Sequence, residues 1–491
     1  MFQHISMPLR AMPARAGFAV FATLLLLLAQ GCSSYEKDVG GIIAGLRGGD
    51  VDSALRKARG QARDAGETDR LLWQLEWGAT ARAGNSNDES IRAFDGALET
   101  LAGLDQKAGI SVSDETLATL DNLSSLPYLG THYDRIMLST YQALNHLRAG
   151  EYDKARVDLN LAQQRQLDAV DANAAKIEKS REKAAAKSGK QSFDISRTLD
   201  SPQFKDGMKR NHAESDALSG YADYVNPFST WLHGIFFLTN ATGGSDVERA
   251  HKSLQRAAGM APDNNAARAD LELARRLREG APLDIPPTTY VIFETGLAPV
   301  RREFRVDVPL FIATSKVPYV GVAFPRIEYV KDFAPALTVE TGDGKSVTTQ
   351  TIASMDRIVT ADFNEARAEI VTRSLVSTLT KAAISYGINT AGDAAMRNDT
   401  SGYGTLVWFG TRIASILYSH ATTKADLRTW HTLPKEFQIA RFPTPPTRRV
   451  KLTGPGGRHE TDIAPGRVNV IHVRSFSRNS RPVISQFVLR P

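Results

Sequence analysis

The chain has 491 residues, 42% of them hydrophobic and 23% charged, which excludes global disorder and supplies enough apolar side chain for a packed core. The net charge of +6 is uneven: residues 33–284 sum to −5 and residues 285–491 to +9, with Arg10 and Arg15 making up the rest. No dense Lys/Arg run reads as a nucleic-acid patch; the mild basic excess of the C-terminal half fits contact with cell wall or anionic lipid, and a plain solvated surface is the simpler account.

Residues 1–17 carry Arg10 and Arg15 and no acid, and Phe18 to Leu28 form an apolar stretch. A basic start, a short apolar run and small residues at the cut describe an export signal over residues 1–31, with cleavage between Gly31 and Cys32. The run falls short of the ~20 residues a membrane-spanning helix needs. Leu28-Ala29-Gln30-Gly31-Cys32 resembles the lipobox of bacterial lipoproteins, although Gln30 stands where Ala or Ser is usual. The resemblance implies a covalent lipid, palmitate included, on Cys32, the single cysteine of the chain. Ser33 is not the Asp that retains such proteins at the inner membrane, so the resemblance implies an outer-membrane anchor facing the periplasm.

Residues 32–284 read as helical, with apolar residues at helical spacing and internal similarity at the scale of helix pairs. Gly78, Phe94 and Ala97 have the spacing of a tetratricopeptide-like unit, with Arg82 to Ser90 holding its turn. A second unit has Gly150 and Tyr152 in its turn and Ala155, Leu159 and Ala162 after it. A third runs from Trp231 to Pro262, with Gly234 and Phe237 in its first helix and Ala250, Leu254 and Ala257 in its second. Ile43 to Ala58 is a possible fourth. Small residues belong where two helices cross closely, and pairs that cannot bury an apolar face alone stack on their neighbours. The pattern predicts an α-solenoid; an unrelated helical bundle is the alternative. Within it, residues 163–215 form a polar insert, expected to prolong the preceding helix to about Ala186 and to be loop-like after Gly189.

Pro286-Pro287 marks a change of pattern. Thr288 to Glu294, Glu303 to Ala313, Tyr319 to Phe324, Ala336 to Glu340 and Val347 to Ile352 read as strands, as do Glu436 to Arg441, Arg448 to Leu452, Arg467 to Arg474 and Val483 to Leu489. Gly454 to Gly457 predicts a hairpin turn. A helix is expected from Asp362, capped with Glu365, to Tyr386, with Val371, Leu375, Leu379, Ala382 and Tyr386 as its apolar stripe. A second, Thr405 to Ser419, is apolar nearly all round. The expected fold class is therefore α+β and multidomain: a helical repeat domain over 32–284, then a β-rich domain over 285–491 with an inserted helical hairpin. That hairpin either packs on the sheet or enters a membrane in an oligomer.

The sequence holds no His-Glu-x-x-His, Gly-x-Ser-x-Gly or phosphate-loop motif, so no catalytic residue, metal or cofactor is assigned and the chain is not read as an enzyme. His431, beside Trp430, reads as part of a packed segment leading into a strand. The start Cys32-Ser33-Ser34-Tyr35, the helical half, and Ala425-Asp426-Leu427-Arg428-Thr429-Trp430-His431-Thr432-Leu433-Pro434 followed by Glu436 to Arg441 together resemble an uncharacterised family of proteobacterial outer-membrane lipoproteins. Genes of that family tend to lie beside one for a lipoprotein activator of penicillin-binding proteins, which implies a place in cell-wall or envelope assembly. The expected function is a periplasmic scaffold whose helical concave face holds a protein partner. The alternatives are a subunit of an envelope ring or channel, and a cell-wall hydrolase with its site in the β-rich part.

Overall fold

A computed structural model describes residues 34–110, 126–187, 195–221, 226–282, 284–309, 319–397 and 424–491. Eleven described helices come first: α1 Ser34–Gly48, α2 Val51–Asp64, α3 Arg70–Ala83, α4 Asn87–Ile110, α5 His132–Ala149, α6 Tyr152–Lys187, α7 Ile195–Asp200, α8 Pro202–Ala217, α9 Pro227–Thr239, α10 Gly244–Met260 and α11 Asn265–Arg278. Strands follow: β1 Thr288–Thr295, β2 Val300–Pro309, β3 Tyr319–Glu328, β4 Thr338–Thr341, β5 Ser346–Thr348 and β6 Gln350–Ser354. After α12, Met355–Arg397, come β7 Glu436–Pro443, β8 Arg449–Gly454, β9 Gly457–Asp462, β10 Val468–Ser475 and β11 Val483–Arg490. The protein is α+β, helical first and sheet-rich after.

The helices pack as successive hairpins. Gly78 lies against Phe94 so closely that a β-carbon there would sit 2.3 Å from the ring, and Gly234 meets Leu254 in the same way at 2.7 Å. Ala97, Ala155, Leu159, Ala162, Phe237, Ala250, Leu254 and Ala257 are all buried, and Pro262 follows the end of α10. Gly150 ends α5 with φ +75°, a left-handed conformation that glycine adopts without strain, and Tyr152 opens α6.

The sheets form two further layers. The five-stranded sheet has the order β11-β10-β1-β7-β6, with β1 and β10 parallel and the other pairs antiparallel. β1 and β10 are buried along their whole length, as expected of strands covered on both faces. Tyr290, Ile292, Phe437, Ile439, Val468 and Val470 face the helices. Val291, Phe293, Ala440, Phe442, Ile471 and Val473 face a second sheet, β5-β4-β8-β9, through Val339, Val450 and Leu452. The helical core and one face of the five-stranded sheet are a single cluster running from Tyr35 to Leu489. The division at 284/285 is thus a change of secondary structure across a shared core.

Both edges of the five-stranded sheet are capped by side chains from the helical half, most of them at helix ends and turns. On β11, Asn85 donates to the carbonyl of Ile484, Tyr152 to Val488 and Asn240 to Leu489. On β6, Asn264 donates to the carbonyls of Gln350 and Thr351, and the Tyr221 hydroxyl accepts from the Ser354 amide. Edges satisfied in this way offer little to a stray strand. β2 and β3 form a separate two-stranded ribbon. Its Phe304, Val306 and Val308 pack on Phe204 of α8 and on Val371, Leu375 and Leu379 of α12.

Three expectations need correction. The stretch after Gly189 is not all loop: α7 and α8 form because Ser201 caps a helix opened by Pro202, and Phe204 has the ribbon to pack against. α12 begins at Met355, directly from β6, rather than at Asp362; Ile358, Val359 and Phe363 carry the buried stripe backward past Asp362, which is itself buried. The turn expected within Arg82 to Ser90 is there, at Gly84 to Ser86. β9 was unforeseen because Gly457 to Asp462 is wholly polar; the hairpin turn at Pro455-Gly456 pairs it with β8. Cys32, residues 310–313 and Thr405 to Ser419, with Trp408, lie outside the described residues.

Gly78→Ala is expected to destabilise the fold by about 1–3 kcal/mol through overpacking against Phe94. Gly60→Ala, in open space on α2, is expected to stabilise it by about 0.5–1 kcal/mol. Urea-denaturation midpoints of the two variants check both.

Candidate functional site

Charged groups converge where the helical layer meets the five-stranded sheet. In each cluster a buried carboxylate on a helix or strand is met by partners from distant segments of the chain.

The central cluster surrounds Glu294, near the end of β1 and 2% exposed. Arg82 of α3 reaches its Oε1 at 3.2 Å, His472 Nε2 of β10 lies 2.8 Å from the same oxygen, and the Tyr141 hydroxyl of α5 donates to Oε2 at 2.9 Å. Arg474 stands 3.8 Å from Oε2 and donates to the carbonyls of Gly296, Ser475 and Thr432. Burial alone would raise the Glu294 carboxyl; the contacts with His472, Arg82 and Arg474 outweigh it and hold the carboxyl well below its ordinary range. His472 is pushed down to about 4, by burial first and then by the Arg82 charge, so its ring is neutral. The space beside this cluster measures about 10 Å³, a single water's worth.

The second cluster involves the segment 425–435, which straps the helices together before β7. Trp430 is fully buried against Phe94 and Tyr141, and His431 lies edge-on to Tyr35. The backbone amides of His431 and Thr432 and the Thr432 hydroxyl donate to the Glu76 carboxylate of α3, at 2.7, 3.2 and 2.7 Å. The Tyr35 hydroxyl of α1 lies 2.7 Å from Glu76 and 2.6 Å from the carbonyl of Thr429. Burial pushes Glu76 up to about 7 against the pull of those donors, and burial lowers the His431 imidazole to about 4. Nearby, Arg428 pairs with Asp426 and Asp69 and donates to the carbonyls of Thr68 and Leu126.

In the third cluster, Asp270 of α11 accepts from Trp231 Nε1 at 2.9 Å and from the Tyr290 hydroxyl at 2.5 Å, with Arg441 of β7 at 3.2 Å. Burial raises its carboxyl to about 6.

These contacts assign the inner face of the helical array to the chain's own sheet. Arg82, Tyr141, Phe228, Trp231 and Asp270 all meet strands or the strap, and Phe228 stacks on Phe437 at 4.1 Å. The helical face that meets the sheet is therefore covered within the molecule. Among the described residues, no three His, Cys, Asp or Glu side chains gather in a metal-binding geometry. An open hollow of about 460 Å³ lies between Arg197, Asp200, Gln203 and Tyr319.

The packing residues Gly78, Gly150 and Gly234 position these clusters, and the helix that carries Gly78 also carries Glu76 and Arg82. Sequence reading passed over Glu76, Arg82, Glu294 and His472. A signal existed for the strand residues, each an ionisable side chain set in an apolar run, as in Val-Ile-Phe-Glu-Thr and Val-Ile-His-Val, but not for Arg82 in its alanine-rich helix. The class defined here is a helical array welded to a two-layer β structure by buried ion networks. No protein-family model, curated protein or solved structure matches the chain.

Glu294→Gln leaves Arg82 and Arg474 buried without a counter-charge and is expected to cost about 3–5 kcal/mol, read from urea denaturation. Asp158 of α6 gives a pH signature: it is buried, its Oδ2 lacks a hydrogen-bond partner, and burial with the Asp95 charge raises it from 3.8 to about 7. Across that window the folded state keeps a proton the unfolded chain has released, so stability falls as pH rises. Asp158→Asn is expected to remove this loss, gaining on the order of 2–4 kcal/mol at pH 8 and little at pH 4 in paired denaturation curves.

Proposed function

We propose that the chain is an outer-membrane lipoprotein, acylated on Cys32, that serves as a rigid periplasmic scaffold in envelope or cell-wall assembly. The observation that carries the reading is the sequence Leu28-Ala29-Gln30-Gly31-Cys32, with a folded helix beginning at Ser34. Among the described residues no helix is long and apolar enough to cross a membrane, which is compatible with anchoring by acyl chains. The close crossings at Gly78 and Gly234 and the helix-ending turn at Gly150 support the tetratricopeptide-like reading of the helical array. Because its inner face is filled by the sheet, partners would engage outer helical surfaces or the β2–β3 ribbon. The basic C-terminal half supports contact with cell wall or anionic lipid.

Metabolic labelling with palmitate is expected to mark the wild-type protein and not Cys32→Ala, which is expected to leave the membrane fraction. Wild-type protein that takes no label, with a Cys32→Ala variant that stays membrane-bound, would overturn the anchor. Crosslinking in native envelopes tests the scaffold role; a protein that remains monomeric and captures no envelope component sinks it.

A further inference from the structure

We propose that the end of the molecule where α1, α3 and α5 begin is a membrane-facing surface, resting on the phospholipid headgroups of the bilayer that holds the acylated Cys32. This rests on the lipidation proposed above and adds an orientation to it.

The first argument is the length of chain available. Tyr35 is buried, 6% exposed, with its hydroxyl fixed between Glu76 and Thr429, and Val39, Ile42 and Leu46 of the same helix are buried behind it. Only Ser33 and Ser34 separate Tyr35 from Cys32, and three peptide steps span at most ~11 Å. A stalk that short cannot let the body turn freely above the bilayer.

The second argument is what surrounds Tyr35. Thr429 touches the first turns of two helices: its carbonyl meets the Tyr35 hydroxyl of α1, and its Oγ1 lies 2.9 Å from the Tyr133 hydroxyl of α5. Arg428, one residue earlier, pairs with Asp69, the residue before α3. Three helix starts are therefore gathered on one strap. The hairpin connections at Gly49-Asp50, Gly84 to Ser86 and Gly150-Glu151 lie at the opposite ends of the same helices, about 21 Å away for a helix of 14 residues.

The third argument is the chemistry of that end. Leu129, in the loop leading into α5, is 50% exposed, and Lys37 and Arg70 are exposed in the first turns of α1 and α3. The partial positive charge at the helix starts points the same way. Glu36 and Glu67 are exposed there as well, so the acyl chains supply the affinity and the short stalk supplies the orientation.

Cys32 is the only cysteine and acylation blocks it, so an added cysteine is a unique labelling position. Full-length acylated Lys37→Cys, Arg70→Cys and Arg47→Cys proteins would carry bimane and be reconstituted into phosphatidylethanolamine and phosphatidylglycerol vesicles containing a headgroup-nitroxide phospholipid. Lys37 and Arg47 stand ten residues apart on α1, about 15 Å along its axis. Quenching at positions 37 and 70 is expected to exceed that at 47 by about threefold. A flexible Gly/Ser insert of about 20 residues between Ser33 and Ser34 is expected to reduce that contrast while leaving palmitate labelling intact. Acylated, vesicle-bound protein with equal or reversed quenching overturns the orientation alone. Protein that takes no palmitate and does not float with vesicles overturns the lipidation as well.

Discussion

Glu294 carries a negative charge to a place where water does not reach, and the architecture follows from how that charge is met. An isolated buried carboxylate costs several kcal/mol, and close cationic partners offset the cost only in good geometry. Its partners come from α3, α5 and β10, segments that lie 212, 153 and 178 residues away in the chain. A one-residue slip of β1 or β10 would turn Glu294, His472 and Arg474 toward Val339, Val450 and Leu452, where nothing can satisfy them. The network therefore acts on specificity. Hydrophobic burial drives the sheet onto the helices, and the ion contacts leave one register in which the burial is tolerable.

The same logic extends outward. Asp270 with Tyr290 and Arg441 repeats the arrangement on β7, and Glu76 with the amides of His431 and Thr432 repeats it on the strap. Asn85, Tyr152, Asn240 and Asn264 then close the sheet edges. Helices that resemble a binding array are thereby committed to an internal partner. This leaves the other surfaces of the helices and sheets for any external contact.

Much of the fold was legible because burial writes its period into the chain. The runs Tyr-Val-Ile-Phe and Val-Asn-Val-Ile-His-Val mark central strands, the alternation from Phe304 to Val308 marks the ribbon, and Gly78 with Phe94 marks a helix crossing. Periodicity tells which face is buried and not what buries it, so the helical face was read as open to a partner. The helical member of the central network was illegible for a related reason: Arg82 in an alanine-rich helix looks like any solvated arginine until Glu294 is known to lie opposite. α8 and β9 are polar segments whose structure depends on tertiary neighbours, Phe304 and Phe324 for the one and β8 for the other.

Contacts of such long separation also fix when the fold can close. Tyr35 waits for Thr429, 394 residues later, and Glu76 for Thr432, 356 residues later. Until the last strands arrive, Glu76, Arg82 and Asp270 lack their partners, and Phe228 and Trp231 lack the sheet that covers them. Topologies dominated by distant contacts fold slowly and leave apolar surface exposed meanwhile. During that interval the helical face that the sheet later covers is bare. Closing on its own sheet removes that hazard without a second protein, and it places Tyr35, at the start of the first described helix, among the last residues to be locked.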